Sequence, residues 1–167
     1  MKFATKGHEN VNTPAINVKM KRITNENIDT FRAIDPNIGS KKIFLEQKNG
    51  TCEAFGLWSD SDEPLAYVWL MYKGGHVGDF NFRTIDAWIF AVFVGEKYRR
   101  KGCCEYMLHM VLNYLHSEKK IDEAYLTVRI RNYPARNAYL KIGGTEIAHK
   151  RAFRFCKIPI PFHGYDL

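Results

Sequence analysis

Seven consecutive residues, Tyr98-Arg99-Arg100-Lys101-Gly102-Cys103-Cys104, put three cations and a glycine into one short loop. An apolar run ends just ahead of them at Val94, and a helical pattern starts at their far end. A strand that feeds a helix through such a loop aims successive backbone N–H groups, and the positive end of the helix dipole, at one point. That chemistry is phosphate binding. Gly102 lets the backbone approach closely, and Lys97, Arg100 and Lys101 can reach the anion as charged partners. Other chemistry is poorly supplied. The cysteines Cys52, Cys103, Cys104 and Cys156 form no C-x-x-C pair, and sequence neighbours make poor tetrahedral ligands, so no metal site is expected. Cys103 at a helix N-terminus could be a nucleophile with a lowered pKa. The plainer reading, adopted here, makes Cys103 and Cys104 small apolar fillers.

The elements that must position this loop follow from hydrophobic period. Thr84 to Val94 is apolar on both faces and reads as a long strand. After the loop, Cys104, Met107, Leu108, Val111, Leu112 and Leu115 recur at helical spacing, with Glu105, His109 and Asn113 opposite. Ala124 to Ile130 alternates as a strand. Asn132 to Ile142 reads as a short helix with Pro134 in its first turn and Gly143-Gly144 as its stop. Thr145 to Phe155 reads as a further strand, and Lys157 to Leu167 as an edge or surface tail. Upstream, a strand begins near Ile16, and Thr24 is a candidate N-cap for a short helix carrying Ile28 and Phe31. Residues 37–49 carry no clear period. Thr51–Trp58 and Leu65–Tyr72 form a hairpin around Ser59–Pro64. Lys73 to Arg83 is a glycine-containing connection. Residues 1–14 lack periodicity and are expected to be a flexible N-terminal arm, with 15–167 a single domain.

A chain of 167 residues, 46% hydrophobic and 26% charged, has the composition of an ordinary globular domain. No apolar run approaches the ~20 residues of a membrane-spanning helix, and the first ten residues lack the apolar core of a signal peptide. A cytoplasmic protein with no membrane partner is expected. The net charge of +7 suits a solvated surface plus an anionic-ligand site. A nucleic-acid surface would need a basic stripe interleaved with aromatics. The cations are scattered instead, which disfavours that partner.

The spacing Arg99-x-x-Gly102-x-Cys104 resembles the Arg/Gln-x-x-Gly-x-Gly/Ala pyrophosphate loop of the GNAT superfamily of acyl-CoA-dependent N-acetyltransferases. A second family motif, Asn-x-x-Ala-x-x-Leu-Tyr-Glu-Lys-x-Gly-Phe, is matched by Asn132, Ala135, Tyr139, Lys141 and Gly143, in the expected order and element. The resemblance runs from about Val18 to Phe155. It implies an α/β (α+β) fold: a mixed, mostly antiparallel sheet of about six to seven strands with helices on both faces. It also implies acetyl-CoA as acyl donor. Arg99, Arg100, Lys101, Gly102, Cys103 and Cys104 would surround its diphosphate, the strand end Val92-Phe93-Val94 would pair with its pantetheine amides, and Asn132 would complete the coenzyme site. The departures are Cys104 for a smaller residue, Glu96 where proline is frequent, Leu140 for Glu, and Gly144 for an aromatic.

By the same resemblance, Tyr139 is the acid that protonates the leaving thiolate, and a backbone N–H near Val94 stabilises the oxyanion. For the base, Asp86 is the only carboxylate in the Thr84–Val94 strand; Asp79, His76 or a water relay could replace it. The expected activity is transfer of an acetyl group to a primary amine within a ternary complex, with the amine unidentified and a homodimer allowed. Acceptor specificity would come from Asn25–Asn49 and Lys73–Arg83. Two other classes compete: a non-catalytic acyl-CoA-binding sensor or assembly module of the same fold, and a basic nucleic-acid-binding domain.

Overall fold

Pro64 to Tyr72 offers no charged side chain to either face, and the strand it forms lies inside a six-stranded sheet. The computed structural model describes residues 1–8, 14–45, 50–77, 80–81 and 85–147. In chain order these give β1 (Lys2–Ala4), β2 (Val18–Arg22), and two 3-10 helices, Ile28–Ala33 and Ile38–Lys41, the second running into α1 (Lys42–Leu45). Then come β3 (Cys52–Ser59), β4 (Pro64–Tyr72), the small pair β5 (His76–Val77) and β6 (Phe80–Asn81), and β7 (Ala87–Val94). A 3-10 turn, Glu96–Tyr98, leads to α2 (Cys103–Ser117), β8 (Glu123–Leu126) and α3 (Tyr133–Lys141). The main sheet has the order β1-β8-β7-β4-β3-β2, and β7 with β8 is its parallel pair. This is the mixed, mostly antiparallel sheet expected.

Two cores flank it. On one face Met107, Leu108, Val111, Leu112 and Leu115 of α2 pack with Tyr139 and Ile142 against Leu57, Val68, Leu70 and Ile89. On the other, Ile28, Phe31 and Ile38 of the 3-10 helices cover Trp58, Tyr67 and Trp69. At roughly 25 cal/mol per Å² of apolar area, each fully buried large side chain here contributes on the order of 1.5–3 kcal/mol. The β2 edge is blunted by Lys19 and Lys21, which reach Asp60 and Asp62 of the β3–β4 turn at 3.3 and 2.8 Å.

Several expectations are corrected. The residues expected to form a flexible arm hold β1: Phe3 is 1% exposed and pairs with Ala124. Three residues of strand are too few to show a period, and their partner lies over a hundred residues away. The helix assigned to Thr24 is a 3-10 helix capped at Asn27, while Thr24 is spent on a turn, its hydroxyl accepting from the Glu26 N–H at 3.3 Å. The strand expected over Ala124–Ile130 ends at Leu126, where its partner diverges. Thr145 forms a single antiparallel bridge with Lys2; the strand expected over Thr145–Phe155 and the tail after it lie outside the described residues beyond residue 147.

Candidate active site

β7 and β8 share two rungs, Trp88 with Tyr125 and Ile89 with Leu126, and then part. β7 continues to Val94 while β8 has ended, so among the described residues its edge from Phe90 onward has no strand beside it. On its other side β7 stays paired with β4, but the register slips between Tyr67 and Trp69. There Val68 alone faces Ala91 and Val92, and Ala91 adopts φ +51°. A bulge of this kind bends the strand and increases its local twist. It also sorts the side chains. Ile89, Val92 and Val94 turn to the α2 side, and Trp88, Phe90 and Phe93 to the opposite face.

The open edge runs into the basic loop. Arg99 folds back, its Nε donating to the Val94 carbonyl at 3.2 Å. Arg100 and Gly102 both take left-handed backbone, at φ +61° and +83°. Gly102 is the N-cap of α2, and the first helical bond runs from the Tyr106 N–H to the Gly102 carbonyl at 3.0 Å. The N–H groups of Gly102 through Glu105 therefore have no acceptor within the helix, and no other backbone acceptor meets them among the described residues. Val92, Phe93 and Val94 on the strand thus lead into Arg99 to Cys104 around the helix start, with Arg99 bonded back to Val94 and Cys103 buried. Lys97 is tied to Glu63, and its ammonium, like that of Lys101, lies over the Tyr98 ring, at 5.2 and 5.6 Å.

The cysteines follow the filler reading. Burial pushes the Cys103 thiol up despite Lys101 nearby, so the helix terminus does not activate it. The Cys104 thiol is pushed up to about 12, chiefly by burial and further by Glu105 and Cys103. Cys104 in turn acts electrostatically on Tyr139. The tyrosine is buried on α3, edge-on to Phe3 with centroids 6.4 Å apart, and its hydroxyl has no hydrogen-bond partner among the described residues. Burial first, and Cys104 second, raise its pKa, so it stays protonated at neutral pH.

Two further expected residues lie on other segments. Asn132 is the N-cap of α3, its side chain accepting from the Ala135 N–H at 3.4 Å. Asp86 is exposed ahead of β7, at the end where β7 and β8 are still joined, and acts electrostatically on Tyr125, not on Tyr139. Asp79 lies outside the described residues, and His76 is on β5.

The opposite face holds groups that sequence reading missed. The Tyr67 hydroxyl donates to buried Asp35 and accepts from Lys41 at 2.6 Å, and the Tyr67 ring stacks on Phe93 at 5.3 Å. Trp69, fully buried against Phe44 and Phe90, has an indole N–H without a partner among the described residues. These groups come from three separated segments, and no local pattern links them. A lone Asp-Pro after an apolar stretch, at Asp35-Pro36, was the one visible trace.

No curated protein sequence matches the chain. Among solved structures, an aminoglycoside 6'-N-acetyltransferase, AAC(6')-Ih from Acinetobacter baumannii, superposes with TM-score 0.64 at 14% identity, covering 83% of this chain and 98% of that one. A ribosomal-protein-alanine N-acetyltransferase from Brucella melitensis biovar Abortus 2308 gives 0.62 at 15% identity, covering 83% and 100%. A possible acetyltransferase from Clostridium difficile 630 gives 0.62 at 18%, covering 84% and 98%. At such identities the likeness is one of fold. The sequence profile described as "Acetyltransferase (GNAT) family" matches residues 20–144, which span β2 to the end of α3 and so include the parted strands and the basic loop. With that match over most of its length, this chain belongs to the GNAT acetyltransferase family.

Proposed function

We propose that the protein is an N-acetyltransferase that moves an acetyl group from acetyl-CoA directly to a primary amine in a ternary complex. One observation supports the reading: among the described residues, the edge of β7 from Phe90 to Phe93 has no strand beside it and leads to amides at Gly102–Glu105 that meet no backbone acceptor. An extended chain of amides ending in a diphosphate fits that sequence of donors and acceptors. A fold neighbour, AAC(6')-Iy, was solved with a bisubstrate analogue of CoA. In this reading Gly102, Cys103 and Cys104 donate to the diphosphate, with Arg100 and Lys101 adding charge and Arg99 bracing the loop on Val94. Tyr139 holds the proton for the departing thiolate. An N–H on the open edge of β7 stabilises the oxyanion. The amine approaches from the face of Trp88, Phe90 and Phe93, opposite the tyrosine, with Asp86 collecting its proton through water. The cytoplasm is the proposed location.

A non-catalytic acyl-CoA sensor is the second reading, favoured by the distance in the fold between Asp86 and the Tyr139 side. A nucleic-acid surface has less support, because Lys19, Lys21, Lys97 and Lys119 are each engaged by a carboxylate. The test is release of thiol from acetyl-CoA across a broad amine panel. Turnover is expected, with Tyr139→Phe lowering kcat by about 100-fold or more while KM for acetyl-CoA moves within about twofold. Coenzyme binding with no turnover and an indifferent Tyr139→Phe supports the sensor. No thermal shift with acetyl-CoA refutes both.

A further inference from the structure

The segment before residue 20 lies outside the family match, yet its described residues are anchored on β8, on α2 and on the loop that leads into α2. β1 fixes its start through Phe3 and Ala124. The Thr5 N–H donates to the Asp122 carbonyl at 2.9 Å, and His8 meets His109 of α2 with Nδ1 to Nδ1 at 2.6 Å. The chain is next described at Pro14 and Ala15, at the N-terminal end of the same helix. Pro14 Cα lies 3.5 Å from where a Cβ on Gly102 would stand, and the Ala15 N–H donates to the Lys101 carbonyl at 3.4 Å.

That last bond lands on a particular peptide. In a planar trans peptide the C=O and the following N–H point in opposite directions. Holding the Lys101 carbonyl toward Ala15 therefore turns the Gly102 N–H the other way. With Gly102 in left-handed backbone, little local preference prevents this peptide from flipping, since glycine accepts either hand. A flipped peptide would present a carbonyl oxygen to the phosphate oxygens, where an N–H should be.

Building on the coenzyme reading above, we infer that Ala15 is a positioning residue of the coenzyme site: its N–H pins the Lys101–Gly102 peptide with the Gly102 N–H facing the CoA diphosphate. The N-terminal segment is then a working part of phosphate recognition, acting through the loop and without touching the reacting atoms. The consequence is selective. Losing the pin weakens ligands that carry the diphosphate and spares those that lack it.

The test compares CoA with pantetheine by calorimetry, and acetyl-CoA with acetyl-pantetheine as donors, for the full chain and two variants. Ala15→Pro, which has no N–H, is expected to weaken CoA binding about tenfold or more and to raise KM for acetyl-CoA alike. Its values for pantetheine and acetyl-pantetheine are expected to stay within about twofold. Ala15→Gly keeps the N–H and is expected to leave all four within about twofold. Should Ala15→Pro fail to fold, hydrogen exchange on the unaltered protein decides: the Ala15 amide is expected to gain protection with CoA and not with pantetheine. Equal loss of both ligands in Ala15→Pro, loss of neither, or Ala15 exchange indifferent to CoA overturns the inference and leaves the coenzyme reading standing. No CoA binding by the unaltered protein overturns that reading, and the inference with it.

Discussion

The Ile89–Leu126 pair is the last rung between β7 and β8, and two residues later, at Ala91, β7 enters its bulge with β4. Divergence on one edge and slippage on the other thus coincide. Ala91 sits at that point with φ +51°, a conformation that costs a non-glycine residue roughly 1–2 kcal/mol. Ala91→Gly is expected to preserve or raise stability by up to about 1 kcal/mol with KM for acetyl-CoA little changed. Ala91→Val, β-branched where φ is positive, is expected to lose more than about 1 kcal/mol and to raise that KM. Urea unfolding and steady-state kinetics on the pair check both.

Tyr139 is held protonated by burial and then by Cys104. A raised tyrosine pKa means that its contribution to stability is complete below the ordinary value of ~10 and is lost only as pH climbs through the higher folded value. The acid therefore stays loaded in alkali. We expect kcat to hold through about pH 10, with no falling limb at the usual tyrosine pKa. A fall centred well below that pH would assign the proton to another group.

Glu53 is a second place where polar groups are gathered inside the fold. Burial alone would raise its carboxyl, but hydrogen bonds from Tyr72, Tyr114 and Lys119, with the charge of Arg22, outweigh this and hold it below the usual range. Arg22 and Lys119 stand at 2.8 and 3.0 Å. Glu53→Gln leaves two partly solvated cations short of a counter-charge and is expected to cost about 1–2 kcal/mol. The depressed pKa also fixes the sign with pH. Its contribution is present above about pH 4.5 and is lost as pH falls through the lower folded value. Urea midpoints between pH 7 and 3, for the parent and the variant, check the slope.

The His109 pKa is lowered by burial first and by His8 second, with Glu105 pulling it partly back. Because the folded state resists protonation there, stability is complete above the ordinary histidine value of ~6.5 and declines as pH drops below it. His109→Asn is expected to flatten the loss between pH 7 and 5, and His8→Asn to flatten it less, since burial remains. Equal slopes in all three proteins would contradict this.

Much of the site was legible because it is local. Arg99, Gly102 and Cys104 lie within six residues, and the α2 stripe from Met107 to Leu115 fixes where the helix must start. An open edge at Val92–Val94 was expected from the pantetheine pairing, but the bulge beside it was not, since a bulge at Ala91 depends on register with β4, which no single strand's composition encodes. Cys103 was readable in position and in kind: proximity to a helix terminus would lower a thiol pKa, but burial wins here, as the filler reading expects. The N-terminal contacts escaped for a different reason. Phe3 and Ala15 find partners at Ala124 and Lys101, and separations of that size leave no mark in a sliding window.

The placement of β1 beside β8 bears on how the molecule is made. Lys2 to Ala4 pair with Tyr125 to Glu123, so a strand synthesised early must wait for one translated more than a hundred codons later. Pairings of such high sequence separation are slow to form. Until β8 emerges from the ribosome, Phe3 has no shelter, and the edge of β8 is completed only when the two meet.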